Sequence, residues 1–187
     1  MRTLTYVIGA PGVGKSAAVE AAVRLLGWGS PRQEMKPFAH QVYALHDAIL
    51  LGRQPDNGFP GTDTLSLGVN PKAVAFVGTR PASIIVGEGD RLANKRFLAA
   101  AAADYAVALV TIEVPPATAY SRMLERADRL GVRPQTESWW NGRWTKVRNL
   151  RRWECPGLEH VAIDGSVDRA SVAASLAAVI SATPHLA

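Results

Sequence analysis

Gly9-Ala10-Pro11-Gly12-Val13-Gly14-Lys15-Ser16 lies between two stretches of different character. Before it, Thr3-Leu4-Thr5-Tyr6-Val7-Ile8 is apolar and β-branched enough to be a buried strand; after it, Ala17 to Leu26 has the composition of a helix. A strand, then G-x-x-x-x-G-K-S, then a helix is the arrangement that cradles phosphate. Glycines let successive backbone N–H groups turn inward around phosphate oxygens, and the helix N-terminus adds partial positive charge. Lys15 is placed to reach the β- and γ-phosphates, and the Ser16 hydroxyl to ligate Mg²⁺. The whole run, Gly9, Ala10, Pro11, Gly12, Val13, Gly14, Lys15 and Ser16, is therefore the expected binding loop for a nucleoside triphosphate.

Working outward, the chain has 187 residues, 48% hydrophobic and 20% charged, which suits one compact domain spanning 1–187 with a proper core. The N-terminus enters the first strand without a signal-peptide pattern, and no run approaches the length of a membrane span. Cys155 is the sole cysteine, and His40, His46, His160 and His185 lack metal-ligand spacing. These negatives fit a cytoplasmic protein, with no membrane partner, that needs only Mg²⁺ as metal.

Charge is uneven. The net charge is +5, and residues 122–154 alone hold nine of the 21 lysines and arginines (Arg122, Arg126, Arg129, Arg133, Arg143, Lys146, Arg148, Arg151, Arg152) against Glu125, Asp128, Glu137 and Glu154. A large anion is drawn to that segment first. It also holds Trp139, Trp140, Trp144 and Trp153. Tryptophan interleaved with cations suits single-stranded nucleic acid, though Trp140, Trp144 and Val147 at helical spacing equally suit packing.

The remaining pattern alternates strands and helices. Over 36–52, Val42, Leu45 and Ile49 would line one helix face, but two short strands at 38–43 and 48–51 are the preferred reading; further strands are expected at 83–88, 105–114 and 160–164. Residues 53–61 read as a loop, with Thr62 or Asp63 capping a helix that is interrupted near Pro71 and resumes to about Val77. Helices are expected over 92–104, 117–130, 143–153 and 167–182, with a loop at 131–142. The fold class is therefore α/β: a three-layer α/β/α sandwich of the P-loop NTPase and nucleoside-monophosphate-kinase type, with a mainly parallel sheet of about five strands and a basic lid over about 126–153. Ligands in such sheets sit beyond the carboxyl ends of the strands, which collects Gly9–Ser16, Glu88–Arg91 and the segment after Val114 on one rim.

On that rim Glu88 and Asp90 are candidates to hold the metal with Ser16, and Asp90 is equally a helix N-cap. Asp63 is a candidate to orient an acceptor hydroxyl, a role also open to Glu88. Arg91 is either a phosphate ligand or the partner of Glu88. Arg126 and Arg122 are candidates to meet the transferring and donor phosphates when the lid closes. Arg129, Arg133, Trp139, Trp140, Arg143 and Lys146 are the candidate contacts to a polymeric acceptor.

Three further segments, Gly61-Thr62-Asp63-Thr64-Leu65-Ser66, Gly87-Glu88-Gly89-Asp90-Arg91-Leu92-Ala93-Asn94 and Trp140-Asn141-Gly142-Arg143-Trp144-Thr145-Lys146, resemble phage-type P-loop kinases that phosphorylate 5-hydroxymethyluracil within DNA. The likeness runs from the phosphate loop to about Leu150. It implies Mg²⁺–ATP as donor, hydroxymethylated DNA as partner, a phage-infected bacterial host as setting and an alcohol as acceptor. A free nucleoside, nucleotide or small metabolite is the alternative acceptor, and a DNA-stimulated ATPase or switch is the reading from another class.

Overall fold

A computed structural model describes residues 1–53 and 61–182. The first strand, β1 (Thr3–Ile8), leads through the phosphate loop into α1 (Lys15–Leu25). Three strands follow: β2 (Arg32–Glu34), β3 (His40–Tyr43) and β4 (Ala48–Leu51), the last two joined by a 3-10 turn at Ala44–His46. The rest is α2 (Asn70–Gly78), β5 (Ile84–Glu88), α3 (Lys95–Ala102), β6 (Ala106–Glu113), α4 (Pro116–Arg129), α5 (Glu137–Arg151), β7 (Leu158–Asp164) and α6 (Arg169–Ser181).

The strands form one sheet in the order β2-β3-β4-β5-β1-β6-β7. The five from β4 to β7 pair in parallel, whereas β3 and β2 add an antiparallel edge. The sheet is thus wider than the expected five, and β2, three polar residues long, carries no apolar pattern to betray it. β1 lies between β5 and β6, so connections leave it in opposite directions and the phosphate loop opens at this switch point. One face of the sheet packs on α2, α3 and the Val147–Leu150 side of α5. The other packs on α1, α6, Ala119 and Met123 of α4, and Trp140. That is the three-layer α/β/α sandwich. No helix among the described residues is long and apolar enough to cross a membrane.

Several boundaries differ from the sequence-based expectation for identifiable reasons. Pro71 begins α2 instead of interrupting it, since proline suits the first helical positions; Thr62–Thr64 is only a 3-10 turn. Asn94, not Asp90, caps α3, accepting the Phe97 N–H at 3.0 Å. α5 begins at Glu137, inside the expected 131–142 loop, because Thr136 caps it by accepting the Trp139 N–H at 3.3 Å. Of the loop expected at 53–61, Arg53 and Gly61 pair as an isolated bridge and the residues between lie outside the described ones.

One buried side chain ties the rim together from below. Tyr6, fully buried in β1, places its hydroxyl 2.9 Å from Thr62 Oγ1 and 3.2 Å from the Gly89 carbonyl. Thr62 in turn donates to the Glu88 carbonyl at 2.8 Å. A buried phenol needs such partners. Its ring fits because residue 87 is glycine: a Cβ there would lie 2.7 Å from Tyr6 Cε2. Replacing Tyr6 by Phe is expected to lower unfolding stability by about 1–3 kcal/mol, the cost of leaving buried acceptors unsatisfied; urea titration measures it, and an unchanged midpoint would refute the bridging role.

Candidate active site

The phosphate loop is held from two sides. Ala10 and Val13 are buried, and the Trp140 indole N–H reaches the Pro11 carbonyl at 3.4 Å. Gly12 has φ +93, and a Cβ there would stand 1.9 Å from the Ala119 carbonyl oxygen of α4. Only glycine permits both the left-handed backbone and that approach. Gly14 caps α1 in the left-handed conformation. The amides of Gly14, Lys15 and Ser16 have no partner among the described residues, which is the free donor set an anion needs at a helix start.

Lys15, the first residue of α1, folds back so that its Nζ donates to the carbonyls of Gly9 at 2.9 Å and Ala10 at 3.2 Å. Burial lowers its pKa; the carboxylates of Glu88, Asp63 and Asp90 oppose that, and the Arg126 charge adds to it. Ser16 Oγ donates to Glu88 Oε1 at 2.9 Å. Glu88 ends β5 and is 1% exposed. Burial raises its pKa to about 7, with Asp63 pushing the same way, while Lys15, the Ser16 hydrogen bond and Arg126 pull it down. The pocket around it is tight, since a Cβ on Gly61 (φ +69) would fall 2.1 Å from Glu88 Oε1. Hydroxyl and carboxylate oxygens side by side are hard ligands suited to Mg²⁺, and a buried carboxylate with a raised pKa is under-compensated by the cations around it.

Asp63 is exposed at the rim, and its Oδ1 accepts the Asp90 N–H at 2.8 Å. One carboxylate oxygen is thereby held while the other has no hydrogen bond among the described residues. Asp90, a candidate metal ligand with Ser16 and Glu88, is otherwise engaged. Its Oδ2 pairs with Arg143, its Oδ1 lies 2.8 Å from Lys146 Nζ, and its carbonyl accepts from the same Nζ at 2.7 Å. Two cations already compensate it, so the metal-holding pair this arrangement supports is Ser16 and Glu88. Arg91 is half-buried, and its Nε has no hydrogen-bond partner among the described residues, Glu88 included. Arg126 is half-buried on α4, close enough for its charge to act on both Lys15 and Glu88.

The basic segment divides by location. Arg122, Arg129 and Arg133 are exposed. Trp139 is 37% exposed, with the Arg143 guanidinium 5.1 Å from its ring centroid. Trp140, expected beside Trp139 as a nucleic-acid contact, is instead 8% exposed and packs edge-on against Tyr120 and Trp144, which makes it a structural ring. Sequence reasoning gave Tyr6 only a place in a strand and Thr62 only a helix cap; in the structure both, with Gly61, support Glu88 from behind. The one available signal was Tyr6 itself, a polar-tipped ring inside an otherwise aliphatic strand. Among the described residues, no cluster of three or more histidine, cysteine or acidic side chains forms a metal cage.

A phosphate loop at a sheet switch point, with a buried carboxylate on its serine and cations above it, defines a P-loop phosphotransferase. The profile of the family described as P-loop Nucleotide Kinase3 matches residues 1–167, and the chain belongs to that family. No curated protein matches significantly. Among solved structures, a gluconokinase from Sinorhizobium meliloti 1021 aligns over 96% of this chain and 95% of its own, with TM-score 0.52 and 21% identity. At that identity the likeness shows the fold alone.

The Glu88 carboxyl yields a signed expectation. Its folded pKa lies above the ordinary carboxylate value of 4.5, so the folded state holds the proton more tightly. Stability from this group is full below pH 4.5 and is lost as pH rises through about 7. Glu88→Gln, which keeps an acceptor for Ser16, is therefore expected to gain stability relative to the parent over that range, by about 3 kcal/mol in total. Metal-free thermal melts of both proteins between pH 5 and pH 8 check this; parallel curves would overturn it.

Proposed function

We propose that this chain transfers the γ-phosphate of Mg²⁺–ATP to the hydroxymethyl oxygen of 5-hydroxymethyluracil in DNA, a step of phage DNA hypermodification. The observation that carries the transfer is the placement of Asp63. An exposed carboxylate is pinned by the Asp90 amide, on the same rim as the buried Ser16–Glu88 pair. The polymeric acceptor is supported by the three segments resembling such kinases and by Arg129, Arg133 and Trp139, exposed on one basic stretch.

In this reading the Gly14, Lys15 and Ser16 amides hold the phosphates, and Lys15 exchanges its loop carbonyls for phosphate oxygens. Ser16 and Glu88 would hold Mg²⁺, which would supply charge neutralisation at the phosphates. The hydroxyl oxygen bonds to the γ-phosphorus as the bond to the β–γ bridging oxygen breaks and ADP departs. Asp63 orients the hydroxyl and takes its proton. Such transition states need positioning and charge compensation more than proton abstraction, so a single oriented carboxylate suffices. Arg126 adds positive potential at the transferring group, with Arg91 and Arg122 as further phosphate contacts. The target base must leave the stack or be single-stranded, which costs a few kcal/mol.

The second reading, a free nucleoside, nucleotide or metabolite as acceptor, is favoured by one observation. Asp90 engages Arg143 and Lys146, withdrawing two cations from the surface otherwise offered to a polymer.

Incubation with labelled ATP and DNA, with and without 5-hydroxymethyluracil, tests the proposal: label is expected only on the modified DNA. Label on both or neither sinks it, and DNA-stimulated ADP release without labelled DNA would indicate an ATPase. Lys15→Ala is expected to lower transfer at least about 100-fold. Asp63→Asn is expected to slow transfer about 100-fold while leaving ATP affinity within about twofold; full activity in Asp63→Asn would move the orienting role to Glu88. Apparent affinity for DNA is expected to fall steeply between 50 and 200 mM salt, as counterion release from about six phosphate contacts requires; a flat dependence supports the small acceptor.

A further inference from the structure

We propose that Arg143 and Trp139 together form a subsite for one nucleotide unit of the acceptor, and that Asp90 occupies its phosphate position until the acceptor arrives. This rests on the reading of the acceptor as a nucleotide, whether in DNA or free. Residues 139 and 143 are one helical turn apart on α5, and the guanidinium stands 5.1 Å from the indole centroid. A cation beside a partly exposed ring is the pairing that takes a phosphate on one member and stacks a base on the other.

The anion now on Arg143 is the Asp90 carboxylate, and the two side chains are 31% and 38% exposed. Ion pairs that exposed contribute little to stability and exchange readily. A phosphate offers more acceptor oxygens in the same place, and charge-assisted bonds from guanidinium to phosphate form in pairs. Two unpartnered donors belong to these residues: Arg143 Nε and the Nε of Arg91, next to Asp90 in sequence, are both buried without a hydrogen-bond acceptor among the described residues. Buried guanidinium N–H groups are ordinarily satisfied, and phosphate oxygens would satisfy them.

Lys146 makes the exchange local. It donates to the Asp90 backbone carbonyl at 2.7 Å as well as to the carboxylate, and Trp140 holds α5 to Pro11. Loss of the Arg143–Asp90 contact therefore frees one guanidinium without detaching α5. The amide that pins Asp63 is Asp90's own, so the side chain that yields to the acceptor belongs to the residue that positions the candidate orienting carboxylate.

The test is anisotropy titration of a fluorescent twelve-nucleotide oligothymidylate, with thymidine monophosphate and thymidine as competitors, at several salt concentrations. Asp90→Asn is expected to bind the oligonucleotide about fivefold more tightly and to steepen the salt dependence by about 0.7 in log–log slope, one extra phosphate neutralised on a single strand. Glu137→Gln removes the same charge from an exposed site on α5 and is expected to change affinity by less than about twofold. Adding Arg143→Ala to Asp90→Asn is expected to erase the gain. Melting curves of each variant establish that the compared proteins are folded. A gain confined to the oligonucleotide assigns the subsite to DNA, and an equal gain for thymidine monophosphate assigns it to a free nucleotide. No gain with either, an equal gain in Glu137→Gln, or a gain for phosphate-free thymidine overturns the proposal. Because the oligothymidylate carries no hydroxymethyl group, failure of phosphate transfer and failure of this exchange are read separately.

Discussion

The hydrogen bond from Ser16 to Glu88 is the contact on which the rest of the site depends. It joins the first turn of α1 to the end of β5, so the phosphate loop and the neighbouring strand end are held in one register. It works only because everything behind Glu88 is satisfied. Thr62 accounts for its carbonyl, Tyr6 for Thr62, and glycines at 61 and 87 leave the room these side chains need. A buried carboxylate short of positive charge is costly to the fold and useful to a catalyst, since a divalent cation brings what the protein withholds.

Lys15 completes that balance. Its ammonium rests on the carbonyls of Gly9 and Ala10, neutral acceptors that compensate it less well than an anion does. The loop thus keeps a buried acid and a half-buried base near each other without pairing them directly. Each remains available to a ligand that offers both a metal and a phosphate.

Most of the architecture was legible because fully buried parallel strands announce themselves as unbroken apolar runs: Thr3–Ile8, Ile84–Glu88 and Ala106–Glu113 could be little else. β2 was not legible, being three exposed or half-exposed polar residues held by pairing to β3 alone. The start of α5 was missed because its signal is one capping threonine ahead of a polar, tryptophan-rich turn. Of the candidate site, what was legible is that Lys15, Ser16, Glu88 and Asp63 share one rim, since each lies in a motif at a strand end or loop. Asp90 was not, because its partners stand 53 and 56 residues further along the chain, and only the docking of α5 brings them together. Nor could sequence spacing separate Trp139 from Trp140: adjacent residues on a helix point about 100° apart, and which of them meets the core depends on how the helix lies.

Gly12 carries a consequence of its own. A glycine in such a loop is ordinarily understood through the phosphate that must come close to it. Here the backbone of α4 already comes close, with the Ala119 carbonyl where a methyl group would be. The residue is therefore answerable to two neighbours, one a substrate and one a piece of the scaffold, and a change tolerated by the first would still be vetoed by the second. The helix that carries Arg122, Arg126 and Arg129 thus sits against the loop like a pawl against a ratchet tooth, and the loop and the arginine helix inherit one another's displacements.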